Sequence, residues 1–363
     1  MRLKFWKKKT EAPIKKSAAR EWADAVMFAV VAASIIRWAT FEAYAIPTSS
    51  MEKSLLVGDY LFVSKLHYGA RTPGTPLQVP LTHQTIWGTE IPSYLDALQL
   101  PSFRLPGFSE VKRNDAVVFN YPVEDGHPDD LKTYYIKRAI GIAGDYINIR
   151  SGQVYINGKV VENPEQRQFS YHISTDRVLN EKFFRSHNIT DYYRTPTGYE
   201  VHTSPGKAAQ LAALDIMKEV KLLQAGAGVG TAEVFPQVPG KYGWNKDNLG
   251  PLYIPKEGAT VDINEQTLPL YEHVILKYEH NENTEVRDGK LYIDGKQVSH
   301  YTFKQNYYFM MGDNRHNSLD SRYWGFVPED HVVGKAVFVW MSVDPNGDLL
   351  DKVRWSRVFS MVE

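Results

Sequence analysis

Apolar positions change their spacing repeatedly along the chain, and each change marks an element. Apolar residues dominate 22–44, with an uncharged run over 25–36 bounded by Asp24 and Arg37. That run alone is too short for a hydrocarbon core of about 30 Å, so a transmembrane helix needs the whole of 22–44. Arg37 would then snorkel, with Trp22, Trp38 and Tyr44 at the interfaces. Strand-like runs follow at 41–46 and 60–66, with a chain reversal at Gly58-Asp59 between them, and again at 116–121 and 133–140. Alternation in the last sends Tyr135, Lys137 and Ala139 to one face and Ile136, Arg138 and Ile140 to the other, so only one of the two cations is expected to face the interior. Residues 335–342 read as a closing strand.

Other stretches break these patterns. Prolines and aromatics interleave over 70–106, which excludes a helix or a central strand and predicts an irregular excursion. Its rings either pack on the domain or touch a membrane surface. Residues 151–161 and 288–298 echo one another, each with an Asn-Gly or Asp-Gly pair suited to a two-residue hairpin turn. Between them 162–285 is polar, with one helix predicted from Ser204 as N-cap and Pro205 through 206–224, stopping at Gly226. Gly226, Gly228 and Gly230 read as a flexible exit from that helix, because a phosphate loop would join a strand to a helix. Residues 307–336, dense in groups that bond their own backbone, predict an ordered loop.

Charge adds direction. The 363 residues carry 42 basic and 42 acidic side chains, so no global field recruits nucleic acid. Yet Arg2, Lys4, Lys7, Lys8, Lys9, Lys15, Lys16 and Arg20 precede the apolar run, which predicts an N-terminus inside and everything after Tyr44 outside. A cleavable signal peptide ending at Ala43-Tyr44-Ala45 fits the same pattern. The long basic region, and a cut that would fall within the strand leading to Ser50, favour an anchor. Absence of cysteine removes disulfides, thiolate nucleophiles and thiolate metal sites. The eleven histidines show no His-Glu-x-x-His or comparable spacing, so neither metal nor cofactor is expected.

For peptide cleavage this leaves serine as nucleophile, with histidine or lysine as its base. A lysine base must be neutral, its pKa lowered from about 10.4 to about 7 or 8, a shift worth roughly 3 to 5 kcal/mol that burial can supply. Lys137 on an apolar strand meets that requirement, unless it snorkels from a sheet edge; the clustered N-terminal lysines do not. Thr48-Ser49-Ser50 beside Pro47 is by itself equally consistent with a plain turn.

Four segments in order resemble type I signal peptidases, the membrane-anchored serine-lysine proteases. They are Ile46-Pro-Thr-Ser-Ser-Met51 with Gly58-Asp59, Asp115-Ala-Val-Val-Phe-Asn-Tyr-Pro122, Tyr135-Ile-Lys-Arg-Ala-Ile-Gly-Ile-Ala-Gly-Asp145 and Gly312-Asp-Asn-Arg-His-Asn-Ser-Leu-Asp-Ser-Arg-Tyr-Trp-Gly-Phe-Val-Pro328. Residues 70–106 and 162–285 are not matched in detail. The resemblance implies Ser50 as nucleophile, Lys137 as general base, and an oxyanion hole from the Ser50 N–H and the Thr48 hydroxyl. It implies that Ser318 orients the lysine and that Asp320 and Arg322 form a supporting ion pair. Tyr44, Ile46, Met51, Leu55, Tyr135 and Ile136 would line pockets for small residues one and three before the cut, with an extended substrate beside the strands.

The chain departs from that pattern in three ways. Lys53 stands where the family often has proline, and His316 replaces a commonly acidic residue and so invites a Ser-His reading. One membrane crossing is expected, where many relatives have two.

The expected architecture is mostly β: an antiparallel catalytic core with an inserted β-rich cap containing a helix, preceded by one transmembrane helix. Its parts are a basic cytoplasmic tail (1–21), the helix (22–44), core (45–161, with the Pro-rich excursion at 70–110), cap (162–285) and core again (286–363). The expected location is the bacterial cytoplasmic membrane, and the expected partners are the signal peptides of exported preproteins and the lipid bilayer, with the protein a monomer. Ala43-Tyr44-Ala45 has the substrate's own pattern, so slow self-cleavage is expected at high concentration. The competing class is an anchored binding or scaffold module that keeps the fold without the activity.

Overall fold

A computed structural model describes residues 16–162, 166–345, 347 and 352–362. The basic residues before Lys16 lie outside the described residues.

Helix α1, Ala18–Ala39, begins where the Ser17 hydroxyl caps the Arg20 N–H, with Glu21 in its first turn and Arg37 in its last. Its 22 residues give about 33 Å, enough to cross a bilayer core. It starts and ends earlier than 22–44, because the residues after Ala39 are taken by a sheet. Phe41–Ala45 (β1) pairs antiparallel with Asp59–Ser64 (β2), Phe41 opposite Ser64 and Ala45 opposite Tyr60.

The main sheet also contains Ala116–Asn120 (β3) and Tyr134–Gly141 (β4), and is antiparallel throughout. Its order is β1, β2, Val332–Ser342, β3, β4, Tyr307–Met311 and Val327–Pro328, with Ser360–Met361 pairing to Val332–Ser342. The closing strand starts three residues before the expected 335. Residues 307–336 are also more structured than one loop: two strands flank a short helix, Ser321–Trp324. Register shifts where Val332–Ser342 meets β2 and where Tyr307–Met311 meets β4 add local twist. The sheet curls until Tyr44 on β1 touches Tyr134 on β4, ring centroids 4.9 Å apart. One face packs Ile46, Met51, Leu55, Leu61 and Val118, the other Val117, Phe119, Ala139, Met310 and Val327.

The insert comprises two bodies. One is a four-stranded sheet ordered Met217–Leu222, Phe169–Thr175, Gly198–Thr203, Tyr192–Thr195, with its own core of Tyr171, Ile173, Phe184, Val201 and Leu211. The expected helix 206–224 is here only Pro205–Ala212, and the chain continues as the strand Met217–Leu222. Met217, Val220 and Leu222 pack on that core, so an available strand partner overrides helix propensity. The glycines at 226, 228 and 230 therefore follow a strand, not a helix.

The second body joins the two echo motifs to Leu249–Tyr253 and the helical segment 268–278 around Ile147, Ile149, Leu252, Ile275 and Leu291. Both hairpin turns adopt the left-handed backbone that their sequence demands, Asn157-Gly158 at φ 51° and 78° and Asp294-Gly295 at 51° and 72°. The excursion 70–110 is an irregular ribbon held by isolated bridges such as Gln78 to Tyr94. Three of its rings do not pack on the domain: Trp87, Phe103 and Phe108 are 69%, 66% and 80% exposed, whereas Tyr94 meets His127, its hydroxyl 2.8 Å from Nδ1.

Candidate active site

β1 hands directly into the Ser50 turn. The ladder extends one residue past β1, with Ile46 N–H donating to Asp59 O (2.8 Å) and Gly58 N–H to Ile46 O (2.9 Å), and then Pro47 can donate nothing further. The chain makes a single 3-10 turn, Ser49–Met51. Gly58 closes the return at φ 88°, where a side chain would overlap the Val343 carbonyl. The buried Asp59 carboxylate accepts from Leu56 N–H (2.8 Å), Ser342 Oγ (2.6 Å) and Arg357 Nη2 (2.6 Å). Met51 and Leu55 are fully buried under the turn, so Ser50 rests on a packed floor.

Lys137 comes from β4 opposite. Its Nζ lies 2.7 Å from Ser50 Oγ and 3.0 Å from the Ile136 carbonyl, and the residue is 4% exposed. Burial pushes the amine down to about 8, against the opposing pull of the Asp320 and Asp313 carboxylates. Each carboxylate is already paired with its own arginine, which limits that pull. Thr48 Oγ1 is 3.5 Å from Ser50 Oγ, on the same side of the turn.

The 312–322 segment closes the site from behind. Asp320 caps Ser321–Trp324 and holds Arg322 by two 2.8 Å bonds, to Nε and Nη2. Burial pushes the Asp320 carboxyl up, but the guanidinium outweighs it and the net direction is down. The second Asp320 oxygen also receives the Gly312 N–H at 3.0 Å. A side chain at Gly312 would overlap both Ser318 Oγ and the Ser50 carbonyl, so glycine lets this segment lie against the Ser50 turn. Ser318 is thus beside Ser50, its buried hydroxyl making no hydrogen bond among the described residues.

Arg138 corrects the expectation that only one of the two β4 cations is inside. Both are buried, because Asp313 covers the opposite face and takes Arg138 Nε at 2.9 Å and Nη2 at 2.6 Å. Asp313 was not foreseen from sequence, although its place next to Gly312 in a carboxylate-rich segment was the available signal.

His316 is not at the serine. Its Nδ1 accepts the Ser170 N–H at 3.1 Å, which puts the proton on Nε2, 2.7 Å from Asp247 Oδ1. Burial pushes its pKa down. Its partners belong to the insert, and sequence reasoning named neither.

The insert also grips the turn. Thr190 Oγ1 donates to Glu52 Oε1 (2.7 Å), Lys53 Nζ reaches Asn188 Oδ1 and Thr190 Oγ1 (3.2 Å each), and Asn317 Nδ2 bridges Asp191 Oδ2 (2.6 Å) to Ser49 Oγ (3.1 Å). Asn314 adds its backbone N–H to the Ser50 carbonyl at 3.1 Å.

A cavity of about 290 Å³ lies between β1 and β4, its wall reaching Pro47 at the start of the Ser50 turn and Ile136, the residue before Lys137. Tyr44, Ile46, Tyr135 and Ile136 line it, whereas Met51 and Leu55 lie in the core beneath and not on its wall. Leu61, Val118 and Tyr134 complete the sheet side, and His83 and Gln84 arrive from the excursion, His83 stacking on Tyr134 at 4.4 Å. No periodic signal marks those two, since the excursion has none. Within the sheet, Tyr307–Met311 pairs with β4 only from Arg138 onward, so residues 134–137 keep one edge without a strand partner, as β1 does.

The curled antiparallel sheet thus sets a serine hydroxyl and a buried amine near an apolar trough whose strand edges leave main-chain groups free to pair with an extended peptide. The family model for signal peptidase, peptidase S26, matches residues 19–199 and 253–341. A Signal peptidase I of Buchnera aphidicola subsp. Acyrthosiphon pisum is 30% identical over 86% of this chain and 72% of its own. Those of Haemophilus influenzae and Pseudomonas aeruginosa are 25% and 24% identical, over 96% and 92% of this chain and 77% and 75% of theirs. The chain belongs to the signal peptidase family. The stretch that the family model skips, 200–252, includes Asp247 and part of the four-stranded sheet of the insert.

Proposed function

We propose that the chain is a membrane-anchored serine endopeptidase that removes signal peptides from exported preproteins after Ala-x-Ala-like sites. Ser50 is the nucleophile and Lys137 the general base. The observation that carries this is the 2.7 Å approach of a buried amine to a serine hydroxyl, close in sequence to residues that line a strand-edged groove. With its pKa brought down to about 8, a useful fraction of the amine is neutral near pH 7. It takes the Ser50 proton as Oγ attacks the scissile carbonyl, then returns it to the leaving amine. A water repeats the cycle on the acyl-enzyme.

Ser50 N–H and the Thr48 hydroxyl serve the oxyanion. Ser318 positions the lysine, while Asp320–Arg322 and Arg138–Asp313 fix the segment behind it. The substrate adds as a strand along β1 and residues 134–137, and Tyr44, Ile46, Tyr135 and Ile136 favour small side chains at the first and third residues before the cut. The anchor is α1, with the N-terminus inside and the domain on the outer side of a bacterial cytoplasmic membrane. No cofactor takes part.

The test is cleavage of a purified preprotein with an Ala-x-Ala site by the wild type against Ser50→Ala and Lys137→Ala. Both variants should lose turnover at least about a thousandfold. Turnover retained in Lys137→Ala would remove the dyad, and covalent labelling of Ser50 by a β-lactam-type acylating probe separates an enzyme from a scaffold.

A further inference from the structure

Where α1 meets the β domain the structure holds a second cavity, of about 390 Å³, that the peptidase chemistry does not use. Arg37, Lys65 and Arg71 contribute three cations to its wall, and Glu42 and Asp130 two carboxylates. Glu42 is shared between Arg37 Nε (2.6 Å) and Lys65 Nζ (2.8 Å), and also accepts Tyr44 OH (2.7 Å). Asp130 is spent on Gly74 N–H, Thr75 N–H and Thr75 Oγ1 at 2.8 to 2.9 Å and makes no ion pair among the described residues. Among the described residues Arg71 donates only to neutral acceptors, Asn120 Oδ1 and the Asp330 carbonyl. The wall therefore carries one net positive charge. Ser34 Oγ, closed off from solvent in the same wall, has no hydrogen-bond partner among the described residues.

Next to this pocket lies an apolar groove. Ala23, Val26, Met27, Val30 and Val31 of α1 form its floor, and Pro80 of the excursion lines both groove and pocket. Positions 23, 26, 27, 30, 34 and 37 recur at helical spacing, so groove and pocket share one face of α1. A polar chamber whose lining side chains sum to +1, adjoining an apolar track on a helix of bilayer length, matches the charge and the polar-apolar order of one phospholipid.

We propose that this junction binds a phospholipid, with its phosphodiester between Lys65 and Arg71 and an acyl chain along α1. The single negative charge of the phosphodiester balances the wall. A bound lipid ties the anchor to the sheet edge that carries Tyr44. The proposal rests on the reading of α1 as a membrane anchor.

The experiment is native mass spectrometry of the full chain in detergent, loaded with phosphatidylglycerol. One retained lipid per chain is expected. Ser34→Phe, which fills the pocket from the helix surface, and Lys65→Gln, which removes a cation, should each lower occupancy about tenfold. Excess inorganic phosphate should not displace the lipid, because it lacks the chain that fills the groove. Equal occupancy in wild type and both variants would overturn the proposal, as would displacement by phosphate alone, which would make this a free-anion site. Flotation with phosphatidylglycerol vesicles tells the two readings apart. A chain that floats but retains no lipid loses the site and keeps the anchor, and one that does not float loses the anchor.

Discussion

At the scale of single residues, the burial that suits Lys137 to its proposed role as base is also a burden on the fold. Unfolded, its amine titrates near 10.5; folded, near 8. Below about 8 the buried amine is charged in both states and the folded state bears the desolvation cost. Between about 8 and 10.5 the unfolded chain binds the extra proton, so stability rises with pH across that window. The gap corresponds to about 3 kcal/mol. Lys137→Met should therefore be inactive yet more stable at pH 7 by up to about 3 kcal/mol, an advantage that fades towards pH 10.5, as urea denaturation at several pH values would measure. Wild-type cleavage should fall as pH drops below about 8. A profile flat from neutral into the acid range would contradict the lysine mechanism. His316→Asn tests the rival base: it leaves Asp247 buried without its partner, so the melting temperature should drop while kcat per folded molecule stays within a few-fold.

At the scale of elements, the Ser50 turn is held by the insert as much as by its own sheet. Lys53 sits at φ 73°, a region closed to the proline that the family resemblance led one to expect there, and its amine reaches Asn188 and Thr190. Lys53→Pro should lower kcat about tenfold or more with a smaller change in KM, because it moves Ser50 rather than the groove. Asp191→Ala, cutting the bridge through Asn317 to Ser49, should act in the same direction. This coupling explains what was legible in the sequence. Strands of the main sheet and both Asn/Asp-Gly turns could be read because local pattern and tertiary partner agree there. Ser50 and Lys137 were singled out by the family resemblance, because local pattern alone left a plain turn and a snorkelling lysine open. Met217–Leu222 was misread because its strand partner lies over forty residues away, and Asp313, Asp247, Thr190 and His83 were missed because what each does is decided by a contact across the fold. The same reasoning alters the outlook for self-cleavage. Ala43-Tyr44-Ala45 is paired with β2 at every residue, so β1 must peel away before another molecule can cut it. N-terminal sequencing of aged protein should find a start after Ala45 only under conditions that open this edge.

At the scale of the whole molecule, the excursion connects the membrane side to the groove. Residues 79–81 line the junction with α1, His83 and Gln84 line the groove, and beyond them Trp87, Phe103 and Phe108 stand bare. So many exposed rings on one ribbon are costly in water and useful against lipid, and on the proposed reading of α1 as an anchor a continuous ribbon would bring the groove mouth close to the bilayer. On the proposed function the substrate is itself an apolar segment whose cleavage site would emerge at that same surface, so the excursion would shorten the search rather than the chemistry. The expected signature is a split between substrates. Trp87→Ser with Phe108→Ser should lower processing of a vesicle-inserted preprotein about tenfold, roughly the loss of burying one large ring, while kcat/KM on a soluble Ala-x-Ala peptide in detergent stays unchanged. Equal losses on both substrates would mean that the rings hold His83 and Gln84 in place, and equal retention would mean that the ribbon does not touch the bilayer.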